Sequence, residues 1–173
     1  LQKQSYVTSE CTKINKETKE IIWRLGGKNN QFNFINDPEQ ITSQHDIRPV
    51  PGKPNHYTIF DNENSMDPQY SRVVEYKLDT VNMHAEKVWE YRHNPDWYAR
   101  KMGNAQLLPN GNTFVCWVLP SLPKAFEVTP EGEIVYEADL DIDTEVYRAF
   151  RFEWDGLMLK PYLIVEPFCD RTR

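Results

Sequence analysis

No stretch of the 173-residue chain comes near the roughly 20 consecutive apolar residues that a membrane-spanning helix requires, so no membrane partner is expected. Cysteine is scarce. Cys11, Cys116 and Cys169 are odd in number and far apart, which fits neither a zinc-ligand spacing nor a disulfide framework. Cys116, inside "TFVCWV", reads as a small buried apolar residue. A surplus of positive charge is also missing. The net charge is −6 with both signs interspersed, without the basic footprint of a nucleic-acid or anionic-membrane binder. No segment reads as a long amphipathic helix; "NPDWYARKMG", with Asn94 as cap, predicts at most one short turn or helix. The chain opens with Leu1 instead of methionine, which reads as a processed form or a piece of a longer protein. The lack of a leader therefore carries no information.

What is present points to β-structure. Aromatic residues make up 13% of the chain and prolines number 12, a mix that favours strands and many turns. Three segments, "CTKINKETKEIIWRL", "VVEYKLDTVNMHAEKVWEYR" and "AFEVTPEGEIVYEA", share one pattern. Each is an alternating strand, a polar turn and a second strand closing on a large aromatic, namely Trp23, Trp89 and Tyr136. Ahead of two of these hairpins, "QHDIRPVPGKPNHYTIFDN" and "GNAQLLPNGNTFVCWV" each read as another strand pair around a Pro/Asn/Gly turn. The pieces assemble into four-stranded units at about 43–92 and 103–138, preceded by a partial unit over 1–27. A further unit begins at 144–166 and a tail covers 167–173. Four-stranded units repeating at this spacing predict an all-β fold of β-propeller blades, with an incomplete ring in this chain. A β-sandwich is the alternative.

The ordered set "EIIWRLGGKNNQF", "QHDIR", "TIFDN" with "YSRVVEYKLD", "KVWEY", "MGNAQLLPNGNTFVCW", "FEVTPEGEIVYEA" and "YRAFRF" resembles the PAPS-independent aryl-sulfate sulfotransferase family. The resemblance implies the later blades of a six-bladed propeller, periplasmic or secreted. Its central channel would transfer a sulfuryl group from a phenolic sulfate ester to a phenol. Two departures stand out. Ser65 and Met66 occupy the place of an arginine that follows the family's "FDNG" turn, and "MGNAQ" holds no acceptor histidine.

Sulfuryl transfer runs through a loose transition state with charge on the equatorial oxygens, so positioning and electrostatics dominate. A histidine can accept the group transiently, and arginine forks suit the oxyanion. No metal or cofactor is required. The innermost strand of each blade lines the channel, which places His45, then Asn104 and Gln106, then Tyr147 and Arg148 around the axis. His45 matches a channel histidine of the family. We expect His45 and Arg148 to be catalytic and Asn104, Gln106, Tyr147 and Arg72 to bind substrate, Arg72 because "YSRVVEY" matches a recurring family position. Period-2 alternation from His45 aims Arg48 away from the channel. His56 and His84 are expected in solvated turns, His93 in a loop, and Trp97 and Tyr98 at a phenol-binding mouth or packed between blades. "DLDIDTE" over 139–145 has only half of a calcium loop. The other readings are a non-catalytic propeller that binds an aromatic or protein ligand, or an inactive fragment. Open blade edges would favour self-association.

Overall fold

The structure, a computed structural model, describes residues 2–5, 8–63, 65–120, 123–140 and 146–153. Its strands are β1 (Gln2–Ser5), β2 (Glu10–Ile14), β3 (Ile21–Leu25), β4 (Asn33–Ile35), β5 (His45–Pro49) and β6 (His56–Asp61). They continue as β7 (Arg72–Asp79), β8 (His84–Tyr91), β9 (Asn104–Leu107), β10 (Thr113–Trp117), β11 (Lys124–Val128) and β12 (Ile134–Asp139). The described residues contain no helix, and the 94–103 segment crosses between sheets as irregular chain. No helix among them is long and apolar enough to cross a membrane.

Three sheets form, in the orders β1-β2-β3, β4-β8-β7-β6-β5 and β12-β11-β10-β9. All pairings are antiparallel except that of β4, which joins the outer edge of β8 in parallel. This fifth strand was not legible in "QFNFIND", a stretch with three residues in strand and no alternation partner nearby. The three repeated hairpins turn by one device: a side-chain oxygen at the strand end accepts backbone N–H groups. Asn15 Oδ1 accepts from Glu17 and Thr18 at 2.9 and 3.2 Å. Asp79 Oδ1 accepts from Val81 and Asn82, both at 2.9 Å. Thr129 Oγ1 accepts from Glu133 at 3.2 Å.

The sheets stack face to face as propeller blades. Between the first and second lie Cys11, Trp23 and Leu25 against Tyr57, Ile59, Val74 and Tyr76. Between the second and third lie Phe60, Val73 and Tyr91 against Val115, Trp117, Phe126 and Val128. Trp117 is the hub of this second interface, with Phe60, Trp97 and Phe126 centroids at 5.1, 5.8 and 6.0 Å. Trp97, partly buried, thus packs against this interface, the second of the two places expected for it. A smaller cluster of Leu108, Phe114 and Ala125 lies under Leu140 and Ala149. The hairpin aromatic is buried only where a following sheet covers it. Trp23 is 2% exposed beneath the second sheet, whereas Tyr136, on the last described sheet, is 47% exposed. Three sheets fall short of the four to eight that close a ring, so the described residues form part of a propeller.

Gly103 sits at the closest approach of the two larger sheets, with φ +98 and room for a Cβ only 2.7 Å from the Phe60 ring. Gly103→Ala meets both a backbone penalty and a clash, and is expected to destabilise the protein by about 1–3 kcal/mol in urea unfolding.

Candidate active site at the inner strands

The inner edges of the sheets converge, with β5 neighbouring both β1 and β9. Sequence alternation would turn every second residue of β5 inward, but the strand is bulged. His45 pairs with Phe60 and Arg48 with Thr58, so Asp46 and Ile47 together oppose Ile59. Asp46 adopts φ +55, the left-handed conformation an Asp tolerates better than most residues. The extra residue reverses the alternation beyond it. Arg48 therefore shares the His45 side of the sheet, facing the third sheet, and the expectation that it points away is corrected.

Asp46 is the anchor of this corner. Its carboxylate is 3% exposed and accepts from two arginines, Arg48 Nε on Oδ2 at 2.6 Å and Arg148 Nη1 on Oδ1 at 3.0 Å. Arg48 also lies over the Phe150 ring at 4.3 Å. Arg148 lies over Tyr147 at 4.8 Å and donates to its hydroxyl at 3.3 Å. Arg148 Nε is buried with no hydrogen-bond partner among the described residues. Two guanidinium groups on one carboxylate leave a local excess of positive charge.

His45 lies beside this cluster, and its tautomer follows from its neighbours. Asn62 Nδ2 donates to the carbonyls of Ala99 and Met102 at 2.6 and 3.2 Å, so Asn62 Oδ1 is an acceptor. The His45 Nδ1–H donates to it at 2.7 Å, and Nε2 accepts the Met102 N–H at 3.2 Å. Burial lowers the His45 pKa below 6.5, opposed by the Asn62 hydrogen bond and reinforced by the Arg148 charge. The ring is a neutral, oriented base.

Arg148 is carried by an extended segment, residues 146–153, that runs along β9. Side chains hold it there in place of a backbone ladder. The Asn104 amide accepts from Ala149 N–H and donates to Ala149 C=O, at 2.9 and 2.8 Å. Gln106 does the same with Arg151, both contacts at 2.9 Å. The Gly103 N–H reaches Tyr147 C=O at 3.4 Å. The Asn104 and Gln106 amide groups, expected to contact substrate, are instead engaged in holding the segment that carries Arg148.

Arg72 lies elsewhere, fully buried inside the second sheet. Its guanidinium meets five carboxylates: Asp37 at 2.8 Å, Asp61 at 3.1 Å, Glu63 at 2.7 Å, Glu39 at 3.5 Å and Glu90 at 3.1 Å. It also donates to the Gln40 carbonyl, and Lys87 adds a second cation 3.3 Å from Asp37. Burial, then the hydrogen bond and charge of Glu63, raise the Asp61 pKa well above the usual carboxylate value. A guanidinium with no exposed surface cannot meet a substrate; Arg72 is a structural tie between the 37–40 and 61–63 loops and β7.

The remaining sequence candidates separate. His93 stacks on Trp97 at 3.4 Å. His84 is exposed, but His56 is partly buried and bonded to Glu75 at 2.6 Å, correcting its expected place in a solvated turn. Cys11 and Cys116 are free and buried, with burial pushing their thiols up to about 12 and about 11; such thiols are unreactive. Cys169, the tail and 141–145 of the half calcium loop lie outside the described residues. Asn62, Asp46 and Met102 were missed as site residues. Asn62, in "FDN", lies seventeen positions from His45, and nothing in a strand-by-strand reading links them.

With this geometry in place, the arylsulfotransferase (ASST) family model matches residues 4–151. The chain belongs to that family. No curated protein matches it.

Two measurements test this geometry. The His45 ring is expected to titrate below pH 6.5 by NMR. Because the folded value is lowered, the unfolded chain takes the proton more readily. This group's contribution to stability is therefore complete above pH 6.5 and is lost as pH falls through the folded value. Arg72→Met leaves buried carboxylates without their cation and is expected to cost about 3–5 kcal/mol in urea unfolding.

Proposed function

We propose that this protein transfers a sulfuryl group from a phenolic sulfate ester to a phenol, with His45 as the transient acceptor and Arg148 holding the sulfate. Arylsulfotransferase family membership supports the reaction class. The observation that carries the residue roles is a neutral His45 beside two arginines braced on one buried aspartate. Asp46 fixes the guanidinium groups before substrate arrives, so little reorganisation is needed when charge develops. The partnerless Arg148 Nε is a donor that a sulfate oxygen would satisfy.

In this reading the sulfate displaces the Met102 N–H from Nε2. The Nε2 lone pair then bonds to sulfur while the sulfur–oxygen bond to the aryl group breaks, its electron pair leaving on the phenolate. Nδ1 keeps its proton on Asn62, which stabilises the positive charge that forms on the ring. A second phenol, as phenolate, attacks sulfur from the vacated side and returns the electron pair to Nε2. Tyr147, half-exposed under Arg148, offers an aromatic surface beside the reacting ester. Asn104 and Gln106 act through Arg148, and Arg72 acts through the fold. Extracytoplasmic location, periplasmic or secreted, accompanies this reading on family grounds.

Release of 4-nitrophenolate from 4-nitrophenyl sulfate with phenol as acceptor, without PAPS, is the direct assay. His45→Ala is expected to lower the rate by roughly 10³-fold or more. Arg148→Lys keeps the charge but not the fork and is expected to lower kcat/KM by roughly 10- to 100-fold. Unchanged turnover in His45→Ala would remove the assigned role. Binding of the ester without any turnover in the native protein would favour a ligand-binding propeller instead.

A further inference from the structure

A second candidate site shares no residue with the His45 corner and lies between the second and third sheets, by the turns that follow β5, β9 and β11. A cleft of about 290 Å3 opens there, lined by Lys53, His56, Glu75, Trp89, Leu107 and Thr113, with Val88, Gly111 and Pro130 completing the wall. Its size is at the small end of the range for organic ligands.

The cleft follows from the register of the second sheet. Glu75 pairs with Thr58 on one side and Trp89 on the other, and Tyr76 pairs with Lys87, so Val88 is an extra residue on β8. This bulge brings Val88 and Trp89 to the same cleft. Trp89 is held by its indole N–H, which donates to the Pro130 carbonyl of the third sheet at 2.9 Å. Beside it on β7, Glu75 contributes a carboxylate that is 5% exposed. Two groups meet it: His56 Nδ1 at 2.6 Å and Lys53 Nζ at 3.2 Å, both on Oε1.

That pairing fixes the chemistry of the imidazole. A carboxylate on Nδ1 assigns the Nδ1 proton and leaves Nε2 as the working atom. No described residue occupies Nε2 in a hydrogen bond. The lining thus offers one fixed hydrogen-bonding atom, one adjacent ammonium and a wall of Trp89, Val88, Leu107 and Pro130. A flat ligand with a single hydroxyl matches that inventory. Its ring would pack on the indole wall and its oxygen would bond to Nε2. A phenol hydroxyl donates to the Nε2 lone pair that the Nδ1-protonated ring presents. A sugar brings several hydroxyls, for which the lining beyond His56 provides the Thr113 hydroxyl, Lys53 and a Glu75 carboxylate already engaged by His56 and Lys53.

We infer that this cleft is a binding site for small hydroxyaromatic compounds, anchored by the Glu75-oriented His56 and the Trp89 wall, and separate from the His45 corner. Such binding is independent of sulfuryl transfer. Titration of 15N-labelled protein with 4-methylphenol tests it. Shifts are expected at the Trp89 indole N–H, Gly111, Thr113 and the His56 ring, and they are expected to persist in His45→Ala. Toluene, which lacks the hydroxyl, is expected to bind about tenfold more weakly. His56→Phe is expected to reduce 4-methylphenol to the toluene affinity while leaving toluene unchanged, with the rest of the spectrum confirming the fold. Absence of these shifts at millimolar 4-methylphenol would overturn the inference, as would equal affinity for toluene. Displacement of the phenol by glucose at similar concentration would reassign the cleft to carbohydrate and also overturn it.

Discussion

A sheet four strands wide has two faces and, in this chain, apolar residues on both. It can bury them only against another sheet, and that constraint decides the rest of the architecture. On β7, Val74, Tyr76 and Leu78 face the first sheet while Val73 faces the third. Neither set would be dry in a sheet standing alone. Stacking by faces leaves the strand edges to point inward and outward, so β5, β9 and the 146–153 segment meet at one side. The aromatic hub around Trp117 fixes the spacing there, each edge-to-face pair adding about 0.5–1.5 kcal/mol beyond its buried area. Met102, whose N–H reaches His45, directly precedes the glycine that lets this approach happen. Packing thereby sets the geometry of the corner.

Two arginines are buried differently, and the contrast separates support from chemistry. Arg72 is enclosed by more carboxylates than it can neutralise, and Lys87 offsets part of the surplus. Such a cluster is costly to desolvate and strongly destabilising to break, which suits a tie between loops. At Asp46 the balance is inverted, with two guanidinium groups on one carboxylate. That arrangement keeps uncompensated positive charge near a half-buried imidazole, the feature on which the proposed sulfate site rests.

Much of the fold could be read from the chain because its signals are periodic. The hairpins closing on Trp23, Trp89 and Tyr136 are β2–β3, β7–β8 and β11–β12, and "QHDIR" does lie on an inner strand. What escaped the reading is what breaks period. The bulge at Asp46 inserts one residue and so moved Arg48 to the opposite face from the one its position implied. The bulge at Val88 helped build a cleft around His56, a residue that looked like part of a turn. Strand β4 is three residues long and pairs in parallel, beyond the reach of any alternation argument. Asn62 and Met102 are linked to His45 only through tertiary contacts, and residue type alone could not reveal them.

Asn104 and Gln106 show why polarity on an inner strand is an ambiguous sign of function. A strand at the edge of a sheet presents unpaired backbone groups that need partners. Here two amide side chains two residues apart reproduce the donor–acceptor pattern of a ladder and grip Ala149 and Arg151. Because both lie on alternate positions of β9, they hold alternate residues of the neighbouring segment, and Arg148 is left projecting toward Asp46. A water-filled channel would tolerate many polar residues at these positions, whereas gripping the N–H and C=O of one residue suits an amide, which carries a donor and an acceptor on separate atoms side by side. A carboxylate replacement, which cannot donate, would leave a backbone C=O unpaired at about 1–3 kcal/mol. The polar character of the inner strands therefore has two origins, one in the chemistry around His45 and the other in the need to finish the sheet that carries it.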